Sequence, residues 1–362
     1  MHSALSTRLT RLLGCRYPIV QTAMGWVATS ALVAASSRAG AFGFLAAAVL
    51  SPEECEAEIG RIQQATDAPF GVNVHSFQPG IDRIIDICID HGVAAISYGR
   101  APSARLIEKA RSHGILCVPT IGAARHARKA VELGADVLVC QGGEGGGHTG
   151  DTPTWLLLAQ VLDQNPGVPV VACGGFKDGR GLAAARTFGA DGIAMGTRFL
   201  LTAESPTPDV TKERYLGSDA TRIKVSTKLD GLPQRMVMNE KLWELERAST
   251  VGLLVRGVAN GLRLRARTGT PLGELLRSAW NMARNSELTL GQTLMAASAP
   301  MIIQRAMVEG DPEQGVLPGG QVAGLIRDLP ACEDLVSSMI DEASENLNAV
   351  AAGGLQPSEV SA

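Results

Sequence analysis

Between residues 18 and 200 the chain alternates short apolar runs with longer stretches whose apolar residues recur every three or four positions. The apolar runs cover 18–22, 42–46, 70–75, 94–98, 115–120, 136–141, 168–173 and 192–195. They are continuous rather than alternating, the pattern of parallel strands covered on both faces. The intervening stretches, such as 53–65, 103–112, 126–133 and 181–188, read as amphipathic helices. Gly40, Gly92, Gly114, Gly134 and Gly189 stand just before the next run, where a helix ends in a left-handed residue. Eight strand–helix repeats in this span predict an α/β protein, a closed (β/α)8 barrel in preference to an open doubly wound sheet.

The rhythm stops after Leu200. A barrel of this kind takes ~250 residues, so a 362-residue chain leaves room for one modest addition. The expected layout is a barrel from 1–205 and 318–350, with a smaller, mostly helical domain inserted after the eighth strand over 206–317. Residues 351–362 read as a flexible tail. Within the insertion, Arg256, Arg263, Arg265 and Arg267 accumulate in a stretch without acidic residues. Two readings stay open for them, a solvated helix face or a patch for the phosphates of a nucleotide or CoA thioester.

Composition narrows the class. The net charge is −3 and aromatic residues make up 4% of the chain, which gives neither a basic field nor a stacking surface for nucleic acid. No apolar stretch is long enough to span a membrane. Seven cysteines without a CxxC pair read as free, buried thiols of a cytoplasmic protein. No HxH, HExxH or Cys/His cluster supports a metal site, and no GxSxG elbow supports a serine hydrolase.

Glycine is the outlier, at 41 residues, and the excess gathers after expected strands six to eight. Gln141 is followed by Gly-Gly-Glu144-Gly-Gly-Gly147-His148-Thr-Gly150. The seventh run is followed by Gly174-Gly175, and the eighth by Gly196-Thr197. In a parallel barrel the functional groups lie at the C-terminal ends of strands, and the last two turns form a recurrent phosphate site. Glycine there lets backbone N–H groups approach an anion. Gly174, Gly175, Gly196 and Thr197 therefore read as the holders of a phosphate-bearing cofactor. Gly145, Gly147 and Gly150 formally match a dinucleotide fingerprint, but a histidine sits inside it and Asp163 falls at a helix end, so the Rossmann reading is set aside. His148, in a glycine-dominated loop, has few neighbours to justify it as packing. Its ordinary pKa near ~6.5 suits proton transfer.

Taken in order, these segments resemble a known family. Pro18-Ile-Val-Gln-Thr-Ala-Met24-Gly, Ala39-Gly-Ala-Phe-Gly43-Phe-Leu, Pro69-Phe-Gly-Val-Asn73-Val, the Glu144–His148 loop, Ala172-Cys-Gly-Gly175 and Ala190-Asp-Gly-Ile-Ala-Met-Gly-Thr-Arg-Phe199 are similar to the nitronate monooxygenase (2-nitropropane dioxygenase) family. Gly320-Gln-Val-Ala-Gly-Leu-Ile326 and Cys332 resemble its C-terminal barrel helix. The resemblance implies a TIM barrel with non-covalent FMN. Ala23 and Met24 would lie against the isoalloxazine, and Asn73 and Gln141, with Thr120, would hydrogen-bond the ring or ribityl chain. The turns at Gly174, Gly175, Gly196 and Thr197 would hold the phosphate, and His148 falls on the family's active-site histidine. Trp26, Glu144 and Gly147 would stand on the substrate side.

The implied activity is oxidation of a nitronate to carbonyl and nitrite with O2, with His148 as acid/base. The alternative is an NAD(P)-linked FMN dehydrogenase or reductase acting on a CoA thioester, a quinone or an enoyl thioester. The Gly-Gly-Glu-Gly-Gly-Gly-His loop and the Met-Gly-Trp-Val start resemble an actinobacterial branch that dehydrogenates CoA thioesters from steroid-ring degradation. In either case the partner is a small molecule. The oligomeric state is left open, a homo-oligomer included.

Overall fold

The computed structural model describes residues 2–76, 78–99, 103–248 and 290–353. The chain divides into two compact units. One comprises 1–145, 150–206 and 326–362, the other 146–149 and 207–325.

The first unit is a closed barrel. Its strands are β1 (Ile19–Gln21), β2 (Phe42–Ala46), β3 (Phe70–Asn73), β4 (Ala95–Tyr98), β5 (Leu116–Ile121), β6 (Leu138–Gln141), β8 (Val170–Cys173) and β9 (Gly192–Met195). They pair in parallel in the order β1-β2-β3-β4-β5-β6-β8-β9, and β9 closes on β1 through Ile19↔Ile193 and Gln21↔Met195. The expected (β/α)8 barrel is thus present, with a strand on each of the eight apolar runs.

Two apolar layers explain why these runs are continuous. Inside the barrel, Val20, Phe42, Phe44, Val118, Val139, Val171 and Ala194 pack with Leu9 and Leu13 of the Arg8–Leu13 helix. Outside it, Val72 and Ile96 meet Cys55, Ile59, Ile62, Ile84 and Ile107 from the surrounding helices. The helix Pro52–Ala65 shows the local logic. Ser51 and Glu54 form a reciprocal capping box, proline opens the first turn, and Cys55, Ile59 and Ile62 present one buried face at helical spacing. The helix Cys332–Ala351 returns to this unit and packs on Gly179–Phe188, where Glu342 Oε2 accepts the Gly179 N–H at 2.7 Å.

The second unit contains the helices Asp209–Leu216, Glu240–Arg247 and Leu290–Met307, and a small antiparallel sheet. That sheet consists of β7 (Gly147–His148), β10 (Ile223–Ser226), β11 (Gln234–Val237) and β12 (Leu317–Pro318). Met236 packs with Leu229, Met238, Leu242, Leu245, Ile302 and Val316 in a core of its own.

Two details add to the expectation for this unit, and one boundary moves. Within the segment expected to be mostly helical, β10 and β11 pair from Ile223↔Val237 to Ser226↔Gln234. Four-residue strands are too short to declare a period of two, and in β10 only the end residues are buried. In the glycine-dominated loop, Gly147–His148 forms a strand on the edge of β11. Finally, Leu317 and Pro318 pair with Val237 and Met236, so the division by compactness returns to the barrel at Ile326, not 318. The arginines at 256–267 lie outside the described residues, as does the tail beyond Gly353.

Candidate active site

The candidate cofactor residues are all in the barrel unit, at or just beyond the C-terminal ends of its strands. Ala23 and Met24 follow β1, Asn73 ends β3, Thr120 lies in β5 and Gln141 ends β6. Each is half-buried, whereas the strand residues before them are mostly buried. The Asn73 amide donates to Ser97 O at 3.1 Å and Ser97 Oγ at 3.0 Å, leaving the side-chain carbonyl as its acceptor group.

The two expected phosphate turns are neighbours because β8 pairs with β9, Cys173 opposite Ala194. Gly174 and Gly175 have φ of +108° and +87°, and the nearest atom to a Cβ built on Gly175 is Glu144 Cβ at 3.8 Å. A Cβ on Gly196 would lie 2.9 Å from Thr22 Oγ1 and 3.3 Å from Met24 Sδ. This close approach brings the turn after β9 against the segment after β1, so one wall carries both the expected phosphate end and the expected ring end. A polar rim of amide side chains, an apolar Ala23-Met24 wall and a positive-φ glycine turn fit a phosphate-bearing flavin.

Glu144 and Trp26 are placed less simply. Glu144 Oε2 accepts the Thr154 N–H at 2.9 Å and the Thr154 hydroxyl at 2.7 Å, so this carboxylate caps the helix Thr154–Leu162. Thr154 Oγ1 is also 3.1 Å from Gly174 O, which ties the loop after β6 to the first phosphate turn. Trp26 has φ of +62°, a conformation that costs a side-chained residue roughly 1–2 kcal/mol. Strain of that kind gathers at functional sites.

The barrel's thiols are not reactive groups. Burial pushes Cys140 and Cys173 up to about 12, so both are protonated at neutral pH. Among the described residues no three His, Cys, Asp or Glu side chains gather as a metal site.

His148 belongs to the second unit. Its Nε2 lies 2.8 Å from Asp230 Oδ2, with 59% of the His148 side chain exposed against 12% for Asp230. Asp230 also accepts the Leu232 N–H on Oδ1 at 3.0 Å and Gln234 Nε2 on Oδ2 at 2.6 Å. Burial works against its charge. The hydrogen bond and charge of His148, with those two further donors, outweigh burial and hold the carboxyl below its ordinary value. The pairing of Gln234 with His148 in register, and the Thr149 N–H to Pro233 O at 3.1 Å, fix the backbone on both sides.

Neither Asp230 nor Gln234 was singled out from the sequence. The usable signal was Asp230-Gly231 after the β-branched run Ile223-Lys-Val-Ser-Thr227, a turn pair that often joins hairpin strands. Gly231 indeed has φ of +86°.

The model of one family, nitronate monooxygenase, matches residues 6–84 and 75–342. The chain belongs to the nitronate monooxygenase family. It is an oxidoreductase. Within and around this family its relatives differ in named activity. The (3aS,4S,5R,7aS)-5-hydroxy-7a-methyl-1-oxo-octahydro-1H-indene-4-carboxyl-CoA dehydrogenase of Rhodococcus jostii is 44% identical over 350 residues, 97% of this chain and 99% of that one. Among solved structures, FabK from Thermotoga maritima matches with a TM-score of 0.77 at 27% identity, covering 96% of this chain and 99% of its own. Nitroalkane oxidase from Streptomyces ansochromogenes matches with a TM-score of 0.74 at 26% identity, covering 94% and 99%. The family assignment agrees with the barrel. No helix among the described residues is long and apolar enough to cross a membrane.

Proposed function

We propose that this member of the family is an FMN-dependent dehydrogenase that oxidises a hydroxylated CoA thioester and passes the electrons to NAD(P)+. The observation that carries this reading is the near end-to-end, 44% identical match to a dehydrogenase named for a hydroxylated, ring-bearing carboxyl-CoA. Bound FMN would supply a two-electron acceptor that a soluble carrier can empty. Ala23, Met24, Asn73, Thr120 and Gln141 would hold the ring and chain, and Gly174, Gly175, Gly196 and Thr197 the phosphate. Trp26 would shape the substrate side. Glu144, with its carboxylate on Thr154, would shape the loop instead of touching substrate, and Gly147 would let the chain turn into His148. The imidazole of His148 would take the hydroxyl proton as the carbon loses its hydride, the general base catalysis that histidine most often supplies. The seven cysteines, all free and buried, fit a cytoplasmic enzyme.

A second reading is supported by the family model itself and by the likeness to nitroalkane oxidase. In it the substrate is a nitronate, the products are a carbonyl compound and nitrite, O2 is consumed, and His148 orients or deprotonates the carbon bearing the nitro group.

An anaerobic reduction screen separates the two. The purified protein should be yellow and release FMN on denaturation. Its flavin should bleach with the hydroxylated indene-carboxyl-CoA, NADH or NADPH, and not with ethyl nitronate. Bleaching by ethyl nitronate alone would transfer the assignment to nitronate oxidation. A colourless protein that binds no flavin would remove both.

A further inference from the structure

We propose that Thr154 is a positioning residue for the cofactor: by holding the Gly174 carbonyl from the buried side of the turn, its hydroxyl aims the Gly175 N–H at the phosphate of the bound flavin. This rests on the reading of the Gly174-Gly175 turn as a holder of the FMN phosphate. Thr154, Glu144, Cys173, Gly174 and Gly175 all belong to the barrel unit. Thr154 is 2% exposed and opens the helix Thr154–Leu162. Its Oγ1 lies 2.7 Å from Glu144 Oε2, 3.1 Å from Gly174 O and 3.4 Å from Cys173 O. A hydroxyl carries one hydrogen, so these oxygens share it. The carboxylate draws the larger part, because a charged acceptor makes the stronger bond, and the Gly174 carbonyl completes a three-centre arrangement.

The backbone is built around this contact. A Cβ on Gly142 would lie 2.2 Å from Thr154 Oγ1, and one on Gly174 would lie 2.9 Å from the same atom, so glycine at both positions admits the hydroxyl. The Gly142 N–H donates to Cys173 O at 2.9 Å, which fastens the loop after β6 to the end of β8. The peptide between Gly174 and Gly175 is trans, and in a trans peptide the C=O and N–H point in opposite directions. With the Gly174 carbonyl turned in toward buried Thr154, the Gly175 N–H is turned outward, at a residue that is exposed. That N–H has no acceptor among the described residues. Glycine on both sides, at φ of +108° and +87°, lets this peptide rotate easily. Its direction therefore depends on what holds the carbonyl.

Riboflavin, which lacks the phosphate, separates this role from general damage to the fold. Titrated into flavin-free wild type, FMN should bind at least about a hundredfold more tightly than riboflavin. Thr154→Val keeps the shape and removes the hydroxyl. It should raise the Kd for FMN about tenfold and leave that for riboflavin within about twofold. Thr154→Ser should restore the wild-type ratio of the two. Glu144→Ala gives the whole hydrogen to Gly174, so its ratio should stay at or above the wild-type value although its fold is weaker.

Wild-type protein labelled with 15N-glycine covers the case that Thr154→Val fails to fold. The Gly175 amide resonance, assigned by its loss in Gly175→Ala, should move further with FMN than with riboflavin. An amide that responds equally to both would overturn the proposal. So would a folded Thr154→Val that keeps the full preference of the wild type for FMN, a result that leaves the phosphate reading standing. Equal affinity of the wild type for FMN and riboflavin would instead overturn the phosphate reading itself, and the role of Thr154 with it.

Discussion

Substituting Gly175 with alanine tests the phosphate turn, provided the cost to the fold is separated from the cost to binding. Gly175 has φ of +87°, and a new Cβ would touch Glu144 Cβ at an ordinary 3.8 Å. Gly114 has φ of +81° with nothing within 4 Å of a new Cβ, and it precedes β5, at the opposite end of the barrel from the glycine turns. In neither does the methyl clash, so the expense is backbone strain. A left-handed conformation costs an L-residue roughly 1–2 kcal/mol, and urea unfolding of the flavin-free variants should show that loss in each. Binding should separate them. Relief of the strain rotates the peptides flanking residue 175 and turns their N–H groups away from an anion. A hydrogen bond to a charged group is worth about 1.5–3 kcal/mol, so the Kd for FMN should rise roughly ten- to hundredfold in Gly175→Ala. Gly114→Ala should bind as the wild type does. Titration of flavin-free protein into FMN, followed by flavin fluorescence, reads both. Equal affinity in the two variants would refute the phosphate assignment, whatever their stability.

Three further outcomes follow from named contacts. Trp26 is held at positive φ, so Trp26→Gly should be more stable than Trp26→Ala by about 1 kcal/mol; the reverse order in thermal unfolding would mean the backbone there relaxes freely. Glu144 caps the Thr154–Leu162 helix, and Glu144→Ala should destabilise the barrel unit by about 1 kcal/mol; an unchanged urea midpoint would return the carboxylate to the substrate side. Asp230 has its folded pKa depressed, so its contribution to stability is present above the ordinary carboxylate value near ~3.9 and is lost as pH falls through the lower folded value. The stability gap between wild type and Asp230→Asn should be full at about pH 6 and shrink below about pH 4. A gap that stays constant across that range would show the carboxylate is not held ionised by its partners.

The barrel was legible because its signal is repeated. Eight continuous apolar runs separated by helical periods leave little choice of architecture, and each capping box or helix-ending glycine marks the same boundary twice. The positions of Asn73, Gln141, Gly174 and Gly196 were readable for a related reason. In a parallel barrel, strand ends and functional groups coincide, so finding the strand finds the rim. The second unit lacked this redundancy. Its strands are two or four residues long, and the partners that stabilise them are distant in sequence. Asp230 acquires its meaning from a residue 82 positions away. A lone aspartate before a glycine reads as a turn until the pairing of β7 with β11 is known.

That pairing changes what the glycine-rich loop is for. As sequence, residues 142–147 invite comparison with phosphate-binding loops. In the fold, a Cβ on Gly146 would lie 2.5 Å from Gly320 N, and Gly147 at φ +66° turns the chain into the two-residue strand that carries His148. Gly146 thus serves close backbone approach and Gly147 a turn within the second unit, where Gly319 N–H also reaches Arg235 O at 3.2 Å. The glycines proposed to face an anion are the pair after β8 and the one after β9. A bulky residue at 146 should therefore disturb the His148–Asp230 contact before it disturbs FMN affinity, and one at 175 should do the opposite. The order of those two losses distinguishes a loop that delivers a base from a loop that cradles a phosphate.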